Sequence, residues 1–258
     1  MGTKDRRQRE FAERERRFLD AAQALIQRDG LLSLQMSRIA EACDYAIGTL
    51  YQHFASKEDL LVALATRNCL DRADLFWKAA QWTGPTRERM LAVAIADLMI
   101  LREQPEHFRL AQFVWTEVVW GAASAEARTR SLEATEPLMR AVHSIVADAV
   151  ACGDLPADTP FAPDALTIGP WSLCLGMHTL LHAEGVLPAA QFSEPYRLLF
   201  RHLQYLFNGY GWQPLFDPRD DATLDALVAR VSRAVFDCPH PYAGPFPLSP
   251  SCKELSHG

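Results

Sequence analysis

The fold class the sequence predicts is all-α. Apolar residues recur at helical spacing along most of the chain, no strand-like alternation of useful length appears, and Pro, Gly or Asp signals cut the pattern into helix-sized pieces. With 258 residues and 49% hydrophobic content, the chain can bury a core large enough for one big or two modest domains.

The elements follow in order. From about residue 6 to 29, Phe11, Phe18, Ala22, Leu25 and Ile26 keep a helical stripe between charges, and Gly30 supplies the stop. Ile39, Ala40 and Cys43 then form one apolar stripe of a short helix, where the small Ala40 lets a second helix cross close above it. Asp44-Tyr45-Ala46 makes a break. A second short helix turns Leu50 and Phe54 inward at i, i+4 and leaves Ile47, Thr49, Tyr51 and Gln52 facing elsewhere. This is the layout of a DNA-reading helix-turn-helix, and it sets a first domain at residues 1–55. Ser56 with Asp59 at the third helical position resembles a capping box, so a helix over about 56–78 is predicted, carried by Leu60, Leu61 and Leu64 towards Trp77.

Beyond Gly84-Pro85, helices are expected over about 86–103, 106–120, 124–151, 163–184, 192–208 and 220–236, giving a larger second domain at 56–238. Pro137 should kink or break its helix, and Gly169-Pro170 should distort the one that carries Trp171 and Cys174. Residues 239–258 hold five prolines and little periodicity, which reads as a Pro-rich, partly disordered tail.

Charge narrows the function classes. The net charge of -6 argues against a general nucleic-acid coat, but residues 1–60 balance 10 Lys and Arg with 10 Asp and Glu, so the acidity lies further on. Lys4, Arg6, Arg7, Arg9, Arg14, Arg16 and Arg17 outnumber the acids among the first 17 residues and form a basic arm able to meet phosphate or a minor groove. No apolar run is long enough for a membrane span and no secretory h-region is visible, so a cytoplasmic protein without membrane partners is expected. The six cysteines lack C-x-x-C spacing and read as free thiols. No nucleophile elbow, H-E-x-x-H or phosphate-cradling glycine loop occurs, so neither enzyme activity nor a cofactor is expected.

The ordered set Gly30, Ile39-Ala40, Thr49-Leu50-Tyr51, His53-Phe54 and Ser56-Lys57-Glu58-Asp59-Leu60-Leu61 resembles the N-terminal domain of the tetracycline-repressor (TetR) family. The resemblance implies that the second helix of the motif enters a major groove, with Tyr51, His53 and Lys57 on phosphates. Together with Arg38, Tyr45, Ile47 and Thr49 these make the candidate DNA-binding set. Three departures stand out. Ala46 replaces the usual hydroxyl cap, so that Asp44 must cap if anything does; Ile47 replaces a polar base reader and offers only apolar contact, for instance to a thymine methyl; and Asp44 replaces the glycine of the turn.

The second domain is aromatic-rich, and the resemblance implies an effector cavity there. The candidate ligand-binding residues are Phe113, Trp115, Glu117, Trp171 and His178, with a small apolar or aromatic effector expected. The resemblance also implies a homodimer, expected through 163–184 and 220–236 with Leu173, Leu180, Leu224, Leu227 and Val231 at the interface. The reading is a ligand-responsive repressor that leaves a palindromic double-stranded operator when its effector binds, with the helix over 56–78 linking pocket to motif. Two alternatives remain: a metal sensor using Cys174, His178 and His182, which share one helical face, and a helical enzyme or scaffold that keeps the motif as structure only.

Overall fold

The computed structural model describes residues 3–158, 162–183 and 194–238; the tail expected at 239–258 lies outside them. Eleven α-helices are present among the described residues, and no strand. They are α1 (Thr3–Asp29), α2 (Met36–Ala42), α3 (Ile47–Tyr51), α4 (Lys57–Leu70), α5 (Ala73–Gln81), α6 (Thr86–Glu103), α7 (Pro105–Val114), α8 (Ala125–Cys152), α9 (Pro163–His182), α10 (Pro195–Gly209) and α11 (Asp221–Phe236). The chain divides into two compact units, the first within Met1–Asp71 and Pro105–Glu136, the second within Arg72–Gln104 and Pro137–Gly258.

The core of the first unit gathers Phe18, Ala22 and Ile26 of α1, Ile39 and Ala40 of α2, Leu50 of α3 and Leu60, Leu61 and Leu64 of α4, with Leu110 and Val114 of α7. The boundary expected between residues 55 and 56 therefore falls inside this unit, because α4 shares its core. Gly30 closes α1 with φ 86, and its N–H donates to the Ile26 carbonyl. Arg67 ties α4 to α1 through Asp20 at 2.6 Å and the Leu19 carbonyl.

Two expected helices are interrupted. The one over 56–78 ends at Leu70 and resumes at Ala73, with Arg72 turned aside (φ -114, ψ 2) to pair with Glu103 at 2.9 Å. The one over 106–120 ends at Val114, where the Thr116 hydroxyl donates to the Phe113 carbonyl; a wide π turn, Glu117–Gly121, follows. The Arg128 guanidinium satisfies carbonyls that this turn leaves open, at Trp120, Gly121 and Ala123. Prolines 137 and 170, by contrast, lie inside continuous helices α8 and α9, and the division between the units falls at Pro137.

In the second unit, α6 supplies Met90, Leu91, Ile95 and Leu98 to a core shared with Phe200, Leu203 and Phe207 of α10 and with Leu224, Val228 and Val231 of α11. Gly169 of α9 leaves room for the Tyr210 hydroxyl, which a Cβ there would displace. Buried Arg87 donates to carbonyl oxygens of Trp212 and Gln204, with the Phe207 ring beneath it, and burial lowers its pKa to about 10.

Candidate nucleic-acid interface

The second motif helix is short, and its two faces differ sharply. Leu50 and Phe54 are buried, whereas Ile47 is 45% and Tyr51 47% exposed and Gly48 and Gln52 are open. Asp44 takes the left-handed conformation (φ 58) that the turn demands, and Tyr45 N–H donates to the Ala40 carbonyl to close it. The cap expected of Asp44 does not form. Ala46 is the N-cap of α3 and no side chain caps it, so the helix is held by Leu50 and Phe54 rather than by its end. Ser56 does cap α4, its hydroxyl accepting from Asp59 N–H at 3.0 Å.

The candidate DNA-binding residues separate into groups. Ile47 and Tyr51 stand out from the surface, Thr49 is half-buried, and Lys57 opens α4 with no carboxylate partner among the described residues. Arg38 is partly exposed and paired to Asp29 at 2.9 Å. Tyr45 packs edge-on against Phe18, with ring centroids 5.4 Å apart, so part of its ring belongs to the core. His53 requires a correction: its side chain is 1% exposed, stacked on Phe11 at 3.8 Å and edge-on to Phe18, and burial pushes its imidazole below the ordinary value. Its ring is a joint between α1 and the end of the motif and is not presented to a phosphate. The basic residues Lys4 to Arg17 lie in α1, which starts a little earlier than the expected residue 6, with exposed pairs such as Arg6 with Glu10 and Arg16 with Glu13.

The candidate ligand residues divide between the two units. Phe113 packs on the core of the first unit, Trp115 is exposed and Glu117 lies in the exposed π turn. Trp171 and His178 belong to the second unit, where Trp171 is exposed and His178 fully buried. What His178 meets is Asp97 of α6, its Nδ1 lying 3.4 Å from the carboxylate, and the Tyr196 ring of α10 at 6.0 Å. Burial pushes Asp97 up to about 7 and the Tyr196 phenol above its ordinary value; burial, then His182, lowers His178 to about 3. Asp97 has a sequence signal that went unused: it is the only charged residue between Met90 and Leu101. The metal-sensing alternative finds no support. Among the described residues no three His, Cys, Asp or Glu side chains gather to hold an ion, and His182 Nδ1 is spent on the His178 carbonyl at 2.8 Å.

The expected dimer surface also changes. Leu224, Leu227 and Val231 of α11 are consumed by the core. Leu180 of α9, also expected there, is exposed, as are Ile168 and Trp171 of α9 and Tyr205 of α10. No helix among the described residues is long and apolar enough to cross a membrane.

A three-helix unit with an exposed second motif helix and a capped fourth helix has the architecture of helix-turn-helix DNA-binding proteins. Residues 18–64 match the model of the tetR family of bacterial regulatory proteins. The chain is 37% identical over 86 residues to the HTH-type transcriptional repressor KstR of Mycolicibacterium smegmatis, covering 33% of this chain and 42% of that one. It is 30% identical over 142 residues to KstR of Mycobacterium tuberculosis, covering 55% and 60%. The chain thus spans less than two thirds of the length of these relatives. A tetR-family regulatory protein from Rhodococcus RHA1 shares the fold, with a TM-score of 0.54 at 18% identity over 77% of this chain and 97% of that one.

Proposed function

We propose that the protein is a homodimeric, sequence-specific DNA-binding transcriptional regulator, a repressor that a small-molecule effector releases from its operator. The observation that carries the reading is the two-faced α3, anchored by buried Leu50 while Ile47 and Tyr51 stand free. Ile47 and Thr49 would read base edges; Tyr51, Lys57 and the partly exposed Arg38 would position the protein on phosphates. Repression is suggested by the similarity to the KstR transcriptional repressors. The exposed pair Ile168 and Trp171, one turn apart on the same side of α9, suits a second copy of the chain, which would set two recognition helices about one DNA turn apart. The Asp97, His178 and Tyr196 cluster supports effector recognition in the second unit, by polar groups set among apolar side chains.

Selection from a pool of randomised duplexes tests this reading. The protein should enrich a near-palindromic site with half-site centres about 10 base pairs apart. Retention of all sequences alike would overturn it.

A further inference from the structure

Buried Asp59 does two jobs at once. Its N–H donates to Ser56 Oγ and so completes the cap of α4. Its carboxylate does not turn back to the start of its own helix, as the acidic member of a capping box would. It accepts instead from Ser124 N–H at 2.7 Å and from the Ser124 hydroxyl at 2.9 Å. Ser124 is the residue before α8, and its oxygen in turn accepts from Ala127 N–H at 3.1 Å. Two helix starts, 65 residues apart in sequence, are thereby interlocked through one carboxylate.

The next turns of α8 repeat the attachment within the first unit. The Ser131 and Thr66 hydroxyls meet at 2.7 Å, and Arg130 lies 3.6 Å from Glu15, whose other oxygen is 3.8 Å from His53 Nδ1. A buried carboxylate persists only where hydrogen bonds offset its desolvation, which favours one arrangement of these helix ends over others. Lys57 sits in the same first turn of α4, two residues before Asp59.

We infer that Asp59 is a positioning residue for DNA binding: through Ser124 it makes the start of α8 part of the seat from which Lys57 reaches a phosphate. The inference deepens the proposed function and rests on it. Ser124 is neutral and belongs to no candidate DNA contact, so an effect on the ionic part of binding that Ser124→Ala and Asp59→Asn share travels through the contact between them.

The test measures affinity against salt concentration for a duplex enriched by the wild-type protein from the randomised pool. Ser124→Ala should bind about fivefold to tenfold more weakly, and its slope of log K against log salt should be shallower by about 1, like that of Lys57→Ala. The double variant should be no shallower than either single one, and Ser124→Thr should restore both affinity and slope. Asp59→Asn, nearly isosteric, provides a second arm should Ser124→Ala unfold. An unchanged slope in a folded variant would overturn the inference, as would a double variant that loses a further unit. If the wild-type protein enriches no sequence, the DNA-reading role fails and the inference with it.

Discussion

In the first unit the buried Asp59 sits at a helix end and accepts two short bonds from Ser124, whereas in the second unit Asp97 sits in mid-helix facing His178 at 3.4 Å. The first arrangement spends the carboxylate on a backbone N–H and a hydroxyl, partners that stay neutral throughout the physiological range. The second sets two titratable groups against each other where both lose solvation. One carboxylate is held by neutral donors, whereas the other faces a group that titrates in its own right.

The comparison breaks most readily at Leu50. If the reading head depends on a fixed core, Leu50→Ala should cost about 2–5 kcal/mol in chemical denaturation, because the fully buried side chain leaves a cavity that its neighbours only partly fill. A loss well under 1 kcal/mol would mean that α3 is not held by that contact.

The pair in the second unit sharpens the contrast through pH. In the unfolded chain Asp97 titrates near 3.8 and His178 near 6.5; in the folded protein burial moves them to about 7 and about 3. Between about pH 4 and 6.5 the pair holds one proton in either state, on His178 when unfolded and on Asp97 when folded, so it adds almost no pH dependence to stability there. Asp97→Asn leaves only the lowered His178, which binds a proton when unfolded but not when folded; stability should then rise with pH from about 3 to 6.5. His178→Gln leaves only the raised Asp97, which keeps its proton when folded; stability should fall as pH rises from about 4 to 7. Thermal unfolding across this range should give slopes of opposite sign, and slopes of the same sign would contradict the pairing.

Local spacing made much of the fold legible. The i, i+4 pair Leu50 and Phe54 gave the inward face of α3, Ser56 marked the start of α4, and Gly84-Pro85 preceded α6. What escaped depends on partners far along the chain. His53 is buried because Phe11 lies over it, and the Asp59 carboxylate is claimed by Ser124; nothing near either residue announces this. The break at Asp71-Arg72 carries neither Gly nor Pro and is accompanied by the reach of Arg72 to Glu103. Periodicity identified the apolar stripe of α11 but could not tell a core from a dimer face, and the core takes it.

The central claim, that the exposed face of α3 reads bases, rests on Ile47. In an enriched operator, thymine replaced by uracil at one symmetric position of each half-site should weaken wild-type binding by about 0.8 kcal/mol per half-site, roughly fourfold, through loss of one buried methyl. Ile47→Ala should remove that preference while leaving thermal stability nearly unchanged, since the side chain is 45% exposed. Equal binding to thymine and uracil at every position, with a marked loss of stability in Ile47→Ala, would contradict the account and assign Ile47 to the core.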